Sequence, residues 1–131
     1  LYTLPTYTYQ AGVSITPANR TGLVEEIRSD SNNNVSLNIV LNSQPTSDVS
    51  VKLETTSGTW SDSSQSDQKL VFTPNNWDTP QGSIINSIID NQVTTVSWTT
   101  ASEDQNYSNN TEFKQSVVPF NYVSNLGVFT N

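Results

Sequence analysis

Val35-Ser36-Leu37-Asn38-Ile39-Val40-Leu41 is apolar at every odd position, with polar Ser36 and Asn38 between. A period of two is the repeat of a β-strand with one buried face, because successive side chains leave a strand on opposite faces. The same pattern continues along the chain. Val49, Val51 and Leu53 alternate with Ser50, Lys52 and Glu54, and Leu70 and Phe72 alternate with Lys69, Val71 and Thr73. Ile84, Ile85, Ile88 and Ile89 fall in residues 81–89, and their adjacent pairs imply burial on both faces or a bulge near Asn86 and Ser87. Val93, Val96 and Trp98 mark another strand, residues 12–16 the first, and Val117, Val118, Phe120, Tyr122 and Val123 the last long one.

Turn-forming residues separate these runs at 31–34, 43–47, 57–67, 74–80, 90–92 and 102–110. Helical periodicity is nowhere sustained. About seven short strands with regular turn signals predict an all-β protein, an Ig-like antiparallel β-sandwich, with a small barrel as the alternative. The 131 residues suit one domain that buries roughly two-thirds of its unfolded surface. Asn, Ser and Thr supply 52 of them, a composition that favours strands joined by polar turns.

Composition also removes whole classes of chemistry. The chain has no cysteine, so it has neither a disulfide framework nor a thiolate metal site. It has no histidine, the usual general base near neutral pH and the commonest metal ligand. Serine triads, Cys–His pairs and ordinary zinc sites are excluded, and the chain reads as a non-enzyme. A net charge of −7 opposes binding to nucleic acid or to anionic membrane surfaces. Arg20, Arg28, Lys52, Lys69 and Lys114 read as scattered, forming no patch. No apolar run approaches the roughly 20 residues of a membrane span. The chain begins at Leu1 with no signal peptide, which points to a processed protein or an excised fragment.

Five phrases stand out: Ala11-Gly12-Val13-Ser14-Ile15-Thr16-Pro17, Val24-Glu25-Glu26, Val40-Leu41-Asn42-Ser43-Gln44-Pro45-Thr46-Ser47-Asp48-Val49, Leu70-Val71-Phe72-Thr73-Pro74-Asn75-Asn76-Trp77-Asp78-Thr79-Pro80-Gln81 and Ser102-Glu103-Asp104-Gln105-Asn106-Tyr107. In order and spacing they resemble the Calx-β-like, cadherin-like Ig-type tandem repeat of large bacterial surface proteins. The resemblance covers residues 11–124. It leaves 1–10 as an N-terminal linker or inter-subunit strand and 125–131 as a tail or linker to the next module. It implies a seven-stranded sandwich displayed outside the cell, on a cell surface, filament or virion, with neighbouring copies or modules as partners. The implied role is adhesion, spacing or assembly.

In calcium-binding relatives, acidic residues at the module end hold the ion. By that pattern the ligands here are Glu25, Glu26, Asp90 and Asp104, with Asp48 and Glu103 nearby. Where relatives carry an Asp-Asp pair this chain has Asp90-Asn91, so the alternative is a set of solvated loop acids that organise turns. No other cofactor is expected.

Two further features admit partners. Trp98 lies among β-branched residues and reads as core; Trp77 is expected to pack over Pro74 and Pro80. Trp60, in a Gly-Thr-Trp-Ser-Asp edge, is the best candidate for an exposed indole, and a glycan- or ligand-binding module would use it as a stacking platform. Residues 1–10 carry Tyr2, Leu4, Tyr7 and Tyr9. They read as a linker or as a strand donated to an open sheet edge of a neighbouring copy, with Pro5 restricting that strand to edge pairing.

Overall fold

The computed structural model describes residues 11–18, 26–108 and 113–123. They form β1 (Val13–Pro17), β2 (Ile27–Arg28), β3 (Val35–Leu41), β4 (Val49–Thr55), β5 (Thr59–Trp60), β6 (Asp67–Phe72), β7 (Gln81–Asn86), β8 (Thr94–Ser102) and β9 (Phe113–Val118), with one helical turn, α1 (Gln105–Ser108), between β8 and β9. Two sheets result, one in the order β1-β3-β7-β5 and the other β2-β9-β8-β4-β6. The neighbours β1-β3-β7 and β9-β8-β4 occupy the places of strands A-B-E and G-F-C in an immunoglobulin-type sandwich, the class the alternation predicts, but the last strand ends at Val118, and Phe120, Tyr122 and Val123 lie beyond it rather than in it.

The strand count differs from expectation for a local reason. β2 and β5 have two residues each, too few to show a period of two. Among the described strands every pairing is antiparallel except one: β2 runs parallel to β9, with Ile27 opposite Val117 and Arg28 opposite Val118. The isoleucine-rich run also resolves. β7 stops at Asn86, Ser87 turns the chain with φ 61°, and Ile88 drops into the core while Ile89 faces solvent.

Between the sheets lies one apolar core. The odd positions of β3 and β4 are buried throughout, and Leu37, Ile39, Val49, Val51, Leu53, Phe72, Ile85, Val96 and Val117 are fully enclosed. Each such side chain contributes about 1.5–3 kcal/mol relative to exposure.

Strand direction gives the sandwich two distinct ends. β1 starts beside the end of β3, Val13 opposite Leu41, and the turns at 42–48, 73–80 and 103–108 gather at that proximal end. β9 finishes beside the start of β8, Val117 opposite Thr94, at the distal end with the turns at 29–34, 56–66 and 87–93. The nine residues of β8 separate the ends by about 30 Å at the usual rise of a strand.

Candidate functional site

The proximal end is held by a polar lock built on Asp104 and Tyr107. After β8, Ser102 Oγ donates to the Asp48 carbonyl at 2.8 Å and accepts from the Asp104 amide at 3.0 Å. Asp104 then caps two segments at once. Its Oδ1 accepts from the Asn106 amide and its Oδ2 from the Thr46 amide, both at 2.8 Å. The Thr46 amide first, then that of Asn106, hold this carboxyl below its ordinary pKa, outweighing the opposing effect of burial. One turn on, the buried Tyr107 hydroxyl donates to the Ser43 carbonyl at 2.8 Å, accepts from the Ser43 amide at 3.2 Å and lies 2.9 Å from Ser43 Oγ. Gln44 Nε2 reaches the Pro74 carbonyl at 2.9 Å, and the Leu41 amide bonds the Trp77 carbonyl at 3.2 Å. Three of the phrases singled out in the sequence therefore converge here. Their polar residues bond one another's backbone, which makes them structural.

The tryptophan at position 60 corrects an expectation. Its indole is fully buried, and Nε1 donates to the Ser66 carbonyl at 3.1 Å. The cause is Gly58, at φ 78°: a Cβ there would come within 2.6 Å of the Asn86 carbonyl oxygen. Glycine lets the chain turn tightly against β7, so Trp60 pairs opposite Ile85 and points into the core. Trp60 is thus not an exposed stacking platform. Trp98 lies in the core as expected, and Trp77 is half-buried against it.

Among the described residues the acidic side chains are not assembled as a cluster. Glu26 is ion-paired to Arg28, with Oε2 2.9 Å from Nε. Asp90 is exposed in the distal 87–93 turn, about 30 Å along β8 from Asp104 at the proximal end. One ion cannot bridge that gap, and Asp104 already gives both oxygens to backbone amides. Among the described residues no three acidic side chains gather to hold a metal ion. Glu25, and Tyr2, Leu4, Tyr7 and Tyr9, lie outside the described residues.

The lysines, by contrast, are less scattered than the sequence implies. On the outer face of the five-stranded sheet Lys52 stands directly opposite Lys69, and Lys114 is opposite Ser97 one strand-pair further across. The Thr55 amide bonds the Ser66 carbonyl, so alternation makes Lys52 and Lys69 a non-hydrogen-bonded pair, the closer kind. Like charges placed so repel, and Glu54, 3.8 Å from Lys52, relieves this only weakly. Lys69 lies on β6, an edge strand, where a lysine discourages pairing with another chain. Two outward carbonyls of that edge are also capped, Asp67 by Ser63 Oγ at 2.6 Å and Val71 by Gln81 Nε2 at 2.7 Å. At β1, the other long edge, Val13 and Ile15 turn their backbone groups away from β3, and no side chain among the described residues caps them.

A second lock closes the distal end. Arg28 Nη1 donates to the carbonyls of Pro119, Phe120 and Tyr122 at 3.0, 2.9 and 3.0 Å. Asn33, at φ 62°, gives its carbonyl to the Ile88 amide and its Oδ1 to the Phe120 amide. The long-range partners of Arg28 left no mark in the sequence, whereas the Asn32-Asn33-Asn34 run marks a position that tolerates positive φ. A shallow cleft of about 300 Å³ lies on the other sheet over Gly82, bordered by Ser36, Ser61, Asp62 and Ile84; the Asp62 carboxylate accepts from Gln68 Nε2 at 3.3 Å.

Fold and locks together define an Ig-like β-sandwich with both ends fastened by side-chain-to-backbone hydrogen bonds. No protein-family model matches the chain, and a search of curated proteins finds no match. No described helix is long and apolar enough to cross a membrane.

Proposed function

We propose that this chain is a non-catalytic structural module of an extracellular surface protein or filament, strung end to end with neighbouring modules or copies. The observation that carries the reading is the position of the first and last strands. β1 starts at the proximal end and β9 finishes at the distal end, so the backbone passes through the sandwich lengthwise. Each end is fastened, by Asp104 and Tyr107 at one and by Arg28 and Asn33 at the other, which suits a spacer that keeps its shape between neighbours. The Asn-, Ser- and Thr-rich composition without cysteine or histidine supports the same reading, as does the resemblance to Calx-β-like repeats. Two copies fused head to tail should give, by small-angle X-ray scattering, a particle about twice as long as one. A compact side-by-side pair rejects the reading.

The uncapped edge of β1 favours one particular mode of assembly, in which residues 1–10 of a neighbouring copy, with Tyr2, Leu4, Tyr7 and Tyr9, lie along β1. Deleting residues 1–10 should then abolish assembly and leave the circular dichroism of the sandwich intact. Assembly that survives the deletion rules this mode out.

A further inference from the structure

We propose that the cleft over Gly82 is a shallow binding site for one neutral pyranose ring of a glycan. The cleft lies on the flank of the sandwich, away from both ends, so the site is independent of how copies are strung and goes beyond that reading.

Gly82 stands inside β7, which pairs with β3 on one side and β5 on the other. Glycine weakens a strand interior, because it loses the most conformational freedom on folding and packs no side chain. Nothing local calls for it here. Its φ is not positive, unlike that of Gly58. A Cβ built on it would meet nothing nearer than Asn38 Oδ1 at 3.8 Å and the Leu37 carbonyl oxygen at 3.9 Å, both ordinary contacts. What the missing side chain leaves is the floor of the cleft of about 300 Å³. A glycine in such a place lets another molecule come close to the strand backbone.

The backbone at Gly82 is open as well. The Ser61 amide bonds the Ile84 carbonyl at 2.8 Å, so Ile84 and, two residues back, Gly82 turn their N–H and C=O toward the β5 side. β5 ends at Trp60, opposite Ile85, and among the described residues no strand reaches as far as Gly82. Asp62 borders the same opening. Its Oδ2 accepts from Gln68 Nε2 at 3.3 Å, and Gln68, only 6% exposed, also donates to Ser83 Oγ at 2.8 Å. The carboxylate is thus anchored from inside the sandwich through one oxygen.

The groups around the cleft select the ligand. The hydroxyls of Ser36 and Ser61 and the backbone of Gly82 both donate and accept, Asp62 accepts only, and Ile84, 40% exposed, adds an aliphatic wall beside the bare glycine. A sugar ring matches this set: its hydroxyls donate and accept, and its C–H face is apolar. Asp62 repels an anion. An alkylammonium only donates, so it would leave the donors of the cleft unmet. The volume is at the lower end of the roughly 300–1,000 Å³ of ligand pockets, which limits the site to one ring and to weak affinity.

The test is an amide-resolved NMR titration of the full chain with three probes, the methyl pyranosides of glucose, mannose and galactose, and with n-butylammonium chloride as the cationic control. At least one pyranoside should move the Ser61, Gly82 and Ile84 amides along a saturating curve in the millimolar range. Gly82→Val fills the floor and should abolish these shifts. Asp62→Ala should weaken binding roughly tenfold, the effect of losing hydrogen bonds to a charged group. Gly82→Ala should melt no lower than wild type, since its Cβ has room. The site is overturned if no pyranoside moves these amides, if the shifts persist unchanged in either variant, or if butylammonium alone moves them. It is overturned too if Gly82→Ala melts several degrees lower, which makes the glycine a requirement of the fold. Should Gly82→Val not fold, Asp62→Ala, a change at an exposed residue, decides the binding by itself. None of these outcomes bears on the tandem reading, which the scattering of fused copies tests separately.

Discussion

Tyr107→Phe isolates the proximal lock, because it removes one oxygen and leaves the ring in the core. The hydroxyl serves both backbone groups of Ser43, donating to the carbonyl at 2.8 Å and accepting from the amide at 3.2 Å. Tyr107 is only 2% exposed, whereas Ser43 is half-buried, so water can re-satisfy part of what is lost. Two lost bonds at about 1 kcal/mol each, with no cavity to add, give a destabilisation of about 2 kcal/mol. For a domain of this size that lowers the melting temperature by roughly 6–8 °C. Urea unfolding followed by tryptophan fluorescence should show a lower midpoint at an unchanged slope, the mark of altered stability without altered compactness. Asp104→Asn loosens the same 42–48 turn through Thr46, so the two substitutions share a target. The double variant should lose less than the sum of the single losses, by about 0.5–1 kcal/mol. A Tyr107→Phe protein within about 0.5 kcal/mol of wild type would refute the lock, since that is the range of substitutions with no structural role.

Two other outcomes are expected. The carboxyl of Asp104 is held below its ordinary pKa by the Thr46 and Asn106 amides, so its contribution is present above the unfolded value of about 3.9 and is lost as the pH falls through the lower folded value. The stability gap between wild type and Asp104→Asn should therefore be widest near neutral pH and close in acid; a gap of constant width between pH 7 and pH 2 contradicts the capping role. Trp60→Phe should remove a blue-shifted fluorescence component that iodide does not quench, and Trp60→Ala should cost about 3–5 kcal/mol as a core truncation. Loss of a quenchable component instead would place the indole at the surface.

The sandwich was legible in the sequence because alternation is a local signal. Val35–Leu41 and Val49–Thr55 bury every second side chain where the pattern says they should. Features that depend on pairing between distant strands were hidden. Trp60 looks exposed in a run of Gly, Ser, Thr and Asp, and its burial follows from the φ of Gly58 and from pairing with Ile85, neither of which a local window contains. Lys52 and Lys69 become neighbours only through the register of β4 and β6. Arg28 is an ordinary surface arginine until the chain returns 91 residues later to place Pro119 beside it. The Ser102–Tyr107 phrase was recognisable as a pattern, yet its task required a partner loop 58 residues away.

The distribution of polar side chains separates the sides of this sandwich from its ends. A sheet edge with free backbone groups invites pairing, and the edge at β6 is opposed by Lys69, by the facing Lys52, and by caps on the Asp67 and Val71 carbonyls. Holding two lysines face to face works against stability, so their arrangement makes more sense as a guard than as a fastening. At the ends the same kinds of residue do the opposite. Asp104, Tyr107, Asn33 and Arg28 point at backbone groups of neighbouring turns and fix them. Among the described residues β1 has no such guard at Val13 and Ile15, and Pro17 offers no N–H to a neighbour. At β1, therefore, no described side chain opposes sideways pairing. The proposed axial stringing and the proposed strand donation both use the proximal end, so if either operates, substitutions there should disturb it, while those along β6 should not.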